Sequence, residues 1–126
     1  LSAVLGKEIS EEDYYRIGER VFNLQRAILV QEGHAGREAD TLPERDFTFP
    51  VQYDVASPDC LMPGKNGELI SRKGAVVDRA EFERMKDDYY ALRGWDVATG
   101  LQTRRTLESL GLRDVAQDME ERGFIR

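Results

Sequence analysis

Apolar positions recur with helical spacing at both ends of the chain and lose that spacing in the middle. Tyr14, Ile17, Val21, Leu24 and Ile28 follow one another at alternating steps of three and four. That rhythm draws one stripe along a helix and predicts an element over 11–30, stopped before Gly33. Ser10 with Asp13 three residues on has the form of a capping box, Asp standing where Glu or Gln is usual, and Glu11 and Glu12 favour the positive end of the helix dipole. Gly18 weakens this helix by ~1 kcal/mol. A second long helix is predicted over 79–93, capped by Asp78 with Glu81 three residues on, with Phe82, Met85, Tyr89 and Leu92 as its inward face and Gly94 as its stop. The two long helices are expected to pack through these stripes. Thr103 opens a short helix with Leu107 and Leu110, closed by Gly111. Another runs from Arg113 through Val115, Ala116 and Met119 to Gly123, and a short helical turn over 1–5 precedes them all.

The 45 residues of 33–77 hold all four prolines and five of the eleven glycines. Neither a long helix nor a central strand tolerates that punctuation. One small hairpin is expected there, with Leu61-Met62 and Leu69-Ile70 as arms around Lys65-Asn66-Gly67-Glu68, where Asn-Gly suits a two-residue type I′ turn. Phe47, Phe49, Val51, Tyr53 and Val55 alternate strictly, which reads as an extended segment with one apolar face that the local helices cannot cover. A connection this long is expected to be either functional or lying on a surface that this chain does not include. The fold class predicted is all-α: two long helices, two or three short ones, and a long irregular central loop with a small β-hairpin.

Composition bounds what such a chain can do. Its 126 residues carry 18 Lys and Arg against 24 Asp and Glu, a formal charge of −6, with 40% apolar residues and one cysteine. This fits one folded domain over 1–126. No basic tract is present to neutralise phosphates, so neither nucleic acid nor a membrane is an expected partner. A lone Cys60 makes no internal disulfide and holds no zinc or iron–sulfur site by itself, and no signal peptide is visible; a cytoplasmic location is expected. Leu1 in place of Met suggests a piece of a longer chain.

Candidate chemistry is sparse. His34, the one histidine, follows a helix end in Gly33-His34-Ala35-Gly36, where a structural or solvated ring is the plainer reading. Cys60 follows Asp59, and a negative neighbour does not favour a thiolate nucleophile. Gly64-Lys65-Asn66-Gly67 lacks the strand, spacing and helix of a phosphate-binding loop and reads as a turn. The segment from Gly36 to Arg45 alternates cations and carboxylates, which makes either a polar site or a set of loop-pinning ion pairs.

Two stretches carry a resemblance. Asp88-Tyr89-Tyr90-Ala91-Leu92-Arg93-Gly94-Trp95-Asp96, with Thr99-Gly100-Leu101-Gln102-Thr103 and Leu107-Glu108-Ser109-Leu110-Gly111-Leu112 after it, resembles the carboxyl-terminal end of the aldehyde ferredoxin oxidoreductase family. So does Arg16-Ile17-Gly18-Glu19-Arg20-Val21-Phe22-Asn23-Leu24-Gln25-Arg26-Ala27, with Glu32-Gly33 and Asp40-Thr41-Leu42-Pro43-Glu44-Arg45 behind it. The stretches around Asp59-Cys60-Leu61-Met62-Pro63-Gly64 and 72–78 look like the branch that includes the tungsten subunit of benzoyl-CoA reductase. The resemblance implies a large enzyme that oxidises an aldehyde and water to a carboxylic acid, uses a tungsten or molybdenum bis-pterin and a [4Fe–4S] cluster, and passes electrons to ferredoxin or another electron-transfer protein.

On that resemblance the chain is the family's last helical domain, with no metal or cofactor ligands of its own and inert in isolation. Its partners are the amino-terminal domains of the same enzyme, and a homodimer is compatible with it. His34, Arg37, Asp40 and Arg45 are the candidates to line a substrate channel. The competing readings are a subunit that reduces aryl-CoA and a free-standing helical interaction module.

Overall fold

The computed structural model describes residues 1–55 and 57–125, which divide into two compact units. One unit holds Leu1–Asp40 and the chain from Asp87 onward; the other is Thr41–Lys86. The first contains α1 (Ser2–Leu5), α2 (Glu11–Gln31), a 3₁₀ turn at Gly36–Glu38, α5 (Arg104–Ser109) and α6 (Arg113–Glu121). The second contains α3 (Glu44–Thr48) and an antiparallel pair, β1 (Leu61–Pro63) and β2 (Leu69–Ser71). The division falls within α4 (Arg79–Arg93). The fold is therefore mostly helical, with a small two-stranded sheet that the all-α expectation admitted only as a hairpin. No helix among the described residues is long and apolar enough to cross a membrane.

Caps fix the helix ends where the sequence placed them. Ser10 Oγ accepts the Asp13 amide at 3.0 Å while Asp13 Oδ2 accepts the Ser10 amide at 3.1 Å, so two otherwise orphaned N–H groups are satisfied reciprocally. The hydrogen bonds from Ser10 hold the Asp13 carboxyl below its ordinary range. Asp78 accepts the Glu81 amide at 2.8 Å, and the Thr103 hydroxyl accepts the Thr106 amide at 3.2 Å. The hairpin turn differs in type. Gly67 has φ 83° and donates to the Gly64 carbonyl at 3.1 Å, but Asn66 does not have positive φ. A type I′ turn needs both central residues left-handed; here a type I turn is closed by a single left-handed Gly67, the three-residue form.

The core lies in the first unit, and it is not where the stripes pointed. Ala27 and Val30 of α2 pack with Leu107, Leu110, Leu112, Ala116, Met119 and Ile125, with Leu101, Val115 and Phe124 at its edge. α2 meets α6, and α5 meets α6. Tyr14, Ile17, Val21, Leu24 and Ile28 are exposed, and Asn23, Arg26, Ala27 and Val30 form the buried face of α2 instead. On α4 the buried residues are Lys86 and Tyr90; Met85, Tyr89 and Leu92 are exposed and Phe82 is half-buried. The expected packing of the long helices through their apolar stripes is thus overturned.

In the second unit α3 replaces the start of the expected extended segment. Phe47 turns inward to an edge-to-face contact with Phe82, ring centres 5.6 Å apart, with the Arg79 guanidinium 4.2 Å from its ring centre. Val51 exchanges backbone hydrogen bonds of 2.8 Å with Ala75 and Gly74. Phe49, Val51, Tyr53 and Val55 remain exposed, so four of the five alternating residues lack cover and Phe47 does not.

Candidate functional site

The residues that converge do so around Asp40. The end of α2 delivers Arg26, whose guanidinium grips the Asp40 carboxylate with both arms, Nη1 to Oδ1 at 2.8 Å and Nη2 to Oδ2 at 2.5 Å, and reaches the Gly100 carbonyl at 3.0 Å. A planar donor fork on a planar carboxylate is the strongest pairing that side chains offer. The Tyr90 hydroxyl donates to Oδ2 at 2.6 Å, and His34 Nε2 stands 3.5 Å from Oδ1. His34 Nδ1 accepts the Gly36 amide at 3.2 Å, which puts the ring proton on Nε2, facing the carboxylate.

Arg37 forms the second tier. It donates to Asp87 at 2.6 Å and to the Val97 carbonyl at 2.9 Å, with its guanidinium 5.6 Å from the centre of the Tyr90 ring. Two glycines let the backbone segments close on each other. Gly36 has φ 61° and a side chain there would strike the Thr99 carbonyl; Gly100 has φ 65° and a side chain there would lie 2.8 Å from Tyr90 Cζ. The reward is the Arg37 amide bonded to the Thr99 carbonyl at 2.7 Å.

Behind the carboxylate lies an aromatic and amide layer. Trp95 stacks on Tyr90 and on Phe22, stands 5.1 Å below the Arg26 guanidinium, and donates its indole N–H to Asn23 Oδ1 at 3.0 Å. Gln102 donates to the Asn23 carbonyl at 2.6 Å, while Gln102 Oε1 and Arg26 Nε are buried without a hydrogen-bond partner.

This geometry fixes the charge states. Burial by itself would raise the Asp40 carboxyl, but hydrogen bonds from Arg26 and Tyr90 outweigh it and hold the group below its ordinary value. Burial first, and then the hydrogen bond to the Asp40 carboxylate, push the Tyr90 phenol far above its ordinary value. Asp40 is therefore a saturated anion that anchors its neighbours and cannot accept a proton readily. A carboxyl whose folded value lies below its unfolded one stabilises the fold above the unfolded value and loses that contribution as pH falls through the folded one. Melting temperature should accordingly drop on acidification below about pH 4, and Asp40→Asn should flatten that acid limb. Melts from pH 6 to pH 2 with equal slopes in the two proteins would remove Asp40 from this role.

Of the four channel candidates, the structure brings His34, Arg37 and Asp40 together. Arg45 lies in the other unit, its side chain 80% exposed, 3.5 Å from Asp46. Sequence reasoning missed Arg26, Tyr90, Asn23 and Gln102. The available signal was an Arg on the face of α2 opposite its apolar stripe, where no solvated cation needs a fixed place in the core. Cys60 is buried in the second unit with φ 53°, its amide on the Ser57 carbonyl at 2.7 Å. That unit also carries an open groove of about 730 Å³ walled by Leu42, Phe49, Val51, Val77, Phe82 and Met85. Among the described residues no three His, Cys, Asp or Glu side chains are grouped so as to hold a metal ion.

Comparison with known proteins gives one consistent result. The family model described as aldehyde ferredoxin oxidoreductase, domains 2 and 3, matches residues 1–112. The tungsten-containing aldehyde ferredoxin oxidoreductase of Pyrococcus abyssi is 35% identical over 114 residues, covering 90% of this chain and 16% of that protein. Those of Thermococcus kodakarensis and Pyrococcus furiosus are 35% and 34% identical over 112 residues, covering 89% of this chain and 15% of theirs. The chain thus spans about one-sixth of the length of these relatives. No solved structure matches it.

Proposed function

The chain belongs to the aldehyde ferredoxin oxidoreductase family, and from that premise we propose that residues 1–126 serve as the carboxyl-terminal domain of a tungsten-containing enzyme that oxidises aldehydes. The observation that carries this reading is a match at about one-third identity running through nearly the whole chain. The overall change is aldehyde and water to carboxylic acid, with two electrons passed to ferredoxin and two protons to water. A tungsten bis-pterin and a [4Fe–4S] cluster supply the redox chemistry in this reading. This reading assigns the ligands of both groups to the rest of the enzyme; among the described residues no three His, Cys, Asp or Glu side chains are grouped so as to hold a metal ion.

The contribution of this chain is accordingly one of shape. Asp40 locks the end of α2, the 34–40 segment, α4 and the 95–102 segment to one another through Arg26, Tyr90 and His34. His34 and Asp40 are similarly exposed, at 24% and 23% of their side chains, and His34 is the residue proposed to face a substrate channel, with Asp40 beside it. Arg37 supports Tyr90, and Arg45 contributes separately from the second unit. Its setting in this reading is the cytoplasm, beside the amino-terminal domains of the same enzyme.

The test compares the isolated chain with the complete enzyme, both produced anaerobically with added tungstate. The complete enzyme should contain stoichiometric tungsten and iron and reduce a viologen dye when given an aldehyde; the isolated chain should contain neither metal and show no dye reduction. Stoichiometric tungsten or iron in the isolated chain would overturn the division of labour. A complete enzyme without aldehyde-dependent activity would overturn the function.

A further inference from the structure

α2 is built with its apolar side outward. Tyr14, Ile17, Val21, Leu24 and Ile28 are between 39% and 59% exposed, while Asn23 and Arg26 are among its four buried residues. At about 100° per residue the exposed stripe is centred roughly 150° around the helix from the buried face; Leu24 and Ile28 at its edge border α6 in a groove shared with Ala27 and Val115, while Tyr14 and Val21 are more than half exposed. A helix that turns five large apolar side chains to water in one line carries an unfinished interface.

The spacing identifies the shape of what completes it. Steps of three and four average 3.5 residues, the repeat with which two helices keep a seam in register along their length. A strand or a small molecule has no use for that period. Gly18 gives a second, independent indication. It sits mid-helix beside the seam with open space where a side chain would be and no contact among the described residues that calls for a glycine, although such a glycine weakens a helix by ~1 kcal/mol. A close-approaching backbone accounts for it.

The edges of the seam bear on which helix it is. On one side they are Gly18 and Gln25, both uncharged; on the other, Asp13 is engaged by its Ser10 cap, Ala27 is buried, and Arg20 is the remaining charge. Two copies of α2 paired along this seam would bring no opposite charges together to choose register or partner. A helix tethered in the same polypeptide needs no such code, because the tether supplies a high effective concentration. Five-sixths of the length of the relatives lies outside the part this chain matches, which is ample chain to provide it.

We infer that the seam from Tyr14 to Ile28 is covered, in the complete enzyme, by a helix with a matching heptad stripe from the portion of the polypeptide outside this chain, approaching most closely at Gly18. The inference rests on the family reading above. Val21→Cys reports on it, with Glu19→Cys, exposed on α2 off the seam, as reference and the unmodified chain as blank for buried Cys60. Maleimide should label Val21→Cys at least tenfold more slowly in the complete enzyme than in the isolated chain, with Glu19→Cys changing less than twofold. Equal labelling of Val21→Cys in both forms would overturn the inference. Slow labelling already in the isolated chain, together with a dimer in sedimentation equilibrium, would overturn it in favour of a second copy. Metal content and dye reduction are read on the same preparations: activity with free labelling removes the seam alone, and protection without activity removes the enzymatic reading alone.

Discussion

Replacing Asp40 by Ala should lower stability by about 3 kcal/mol, roughly 10 °C in melting temperature for a chain of this size. Arg26 is 8% exposed and its two arms would lose both carboxylate oxygens, with the Gly100 carbonyl as the acceptor that remains. Stripping the partner from a buried cation costs far more than the pair is worth relative to an apolar substitute, because the remaining charge is desolvated without compensation. Tyr90 loses its acceptor in the same step. The figure sits at the low end of the 3–5 kcal/mol seen for buried pairs, since the Asp40 side chain is 23% exposed and water can reach the vacated site. Arg26→Met should also destabilise, and the double variant Arg26→Met/Asp40→Leu should lose clearly less than the two single losses added together. Thermal and urea melts measure all three. An Asp40→Ala chain that melts with the parent, or strictly additive losses, would mean that the hub is surface decoration.

What could be read in the sequence was local, and what could not depended on neighbours. Ser10, Asp78 and Thr103 mark helix starts because a side-chain oxygen three residues from an orphan N–H is a local matter, and Gly94, Gly111 and Gly123 mark ends through their left-handed backbone. The hairpin was legible as two arms around Asn66-Gly67 but not in its register: the three-residue turn sets Met62 opposite Ile70, one residue away from the pairing that a two-residue turn would give. Periodicity could say that α2 has an apolar face but not that the face is turned away from its own core, because that is settled by the small residue Ala27 fitting against α6 and by the chemistry around Arg26. Phe47 failed differently: alternation with Phe49 and Val51 looks extended, but Pro43 followed by Glu44, Arg45 and Asp46 permits one helical turn, and the contact with Phe82 selects it. The hub was half visible. His34, Arg37 and Asp40 share one loop and stand out by type; Arg26 and Tyr90 come from elements 14 and 50 residues away and announce themselves only when folded.

Leu107→Ala should cost between about 2 and 5 kcal/mol, the range for a buried Leu truncated in a packed core. The residue is 0% exposed and sits among Ala27, Val30, Leu110, Ala116 and Met119, where α5 and α6 close over the end of α2. It also anchors backbone, since the Leu112 amide bonds to its carbonyl at 2.9 Å between the two short helices. α5 has six residues and α6 nine, too short to hold helical form in water unaided, so their order is borrowed from this contact and a cavity here loosens both. Leu92, 85% exposed on α4, supplies the contrast: its truncation should move stability by no more than about 0.5 kcal/mol, although its place in the apolar stripe would predict the larger loss. Equilibrium urea unfolding of the two variants side by side decides between the observed core and the stripe. Equal losses, or a greater loss at Leu92, would mean that the stripe is buried in solution and that α4 packs through the opposite face.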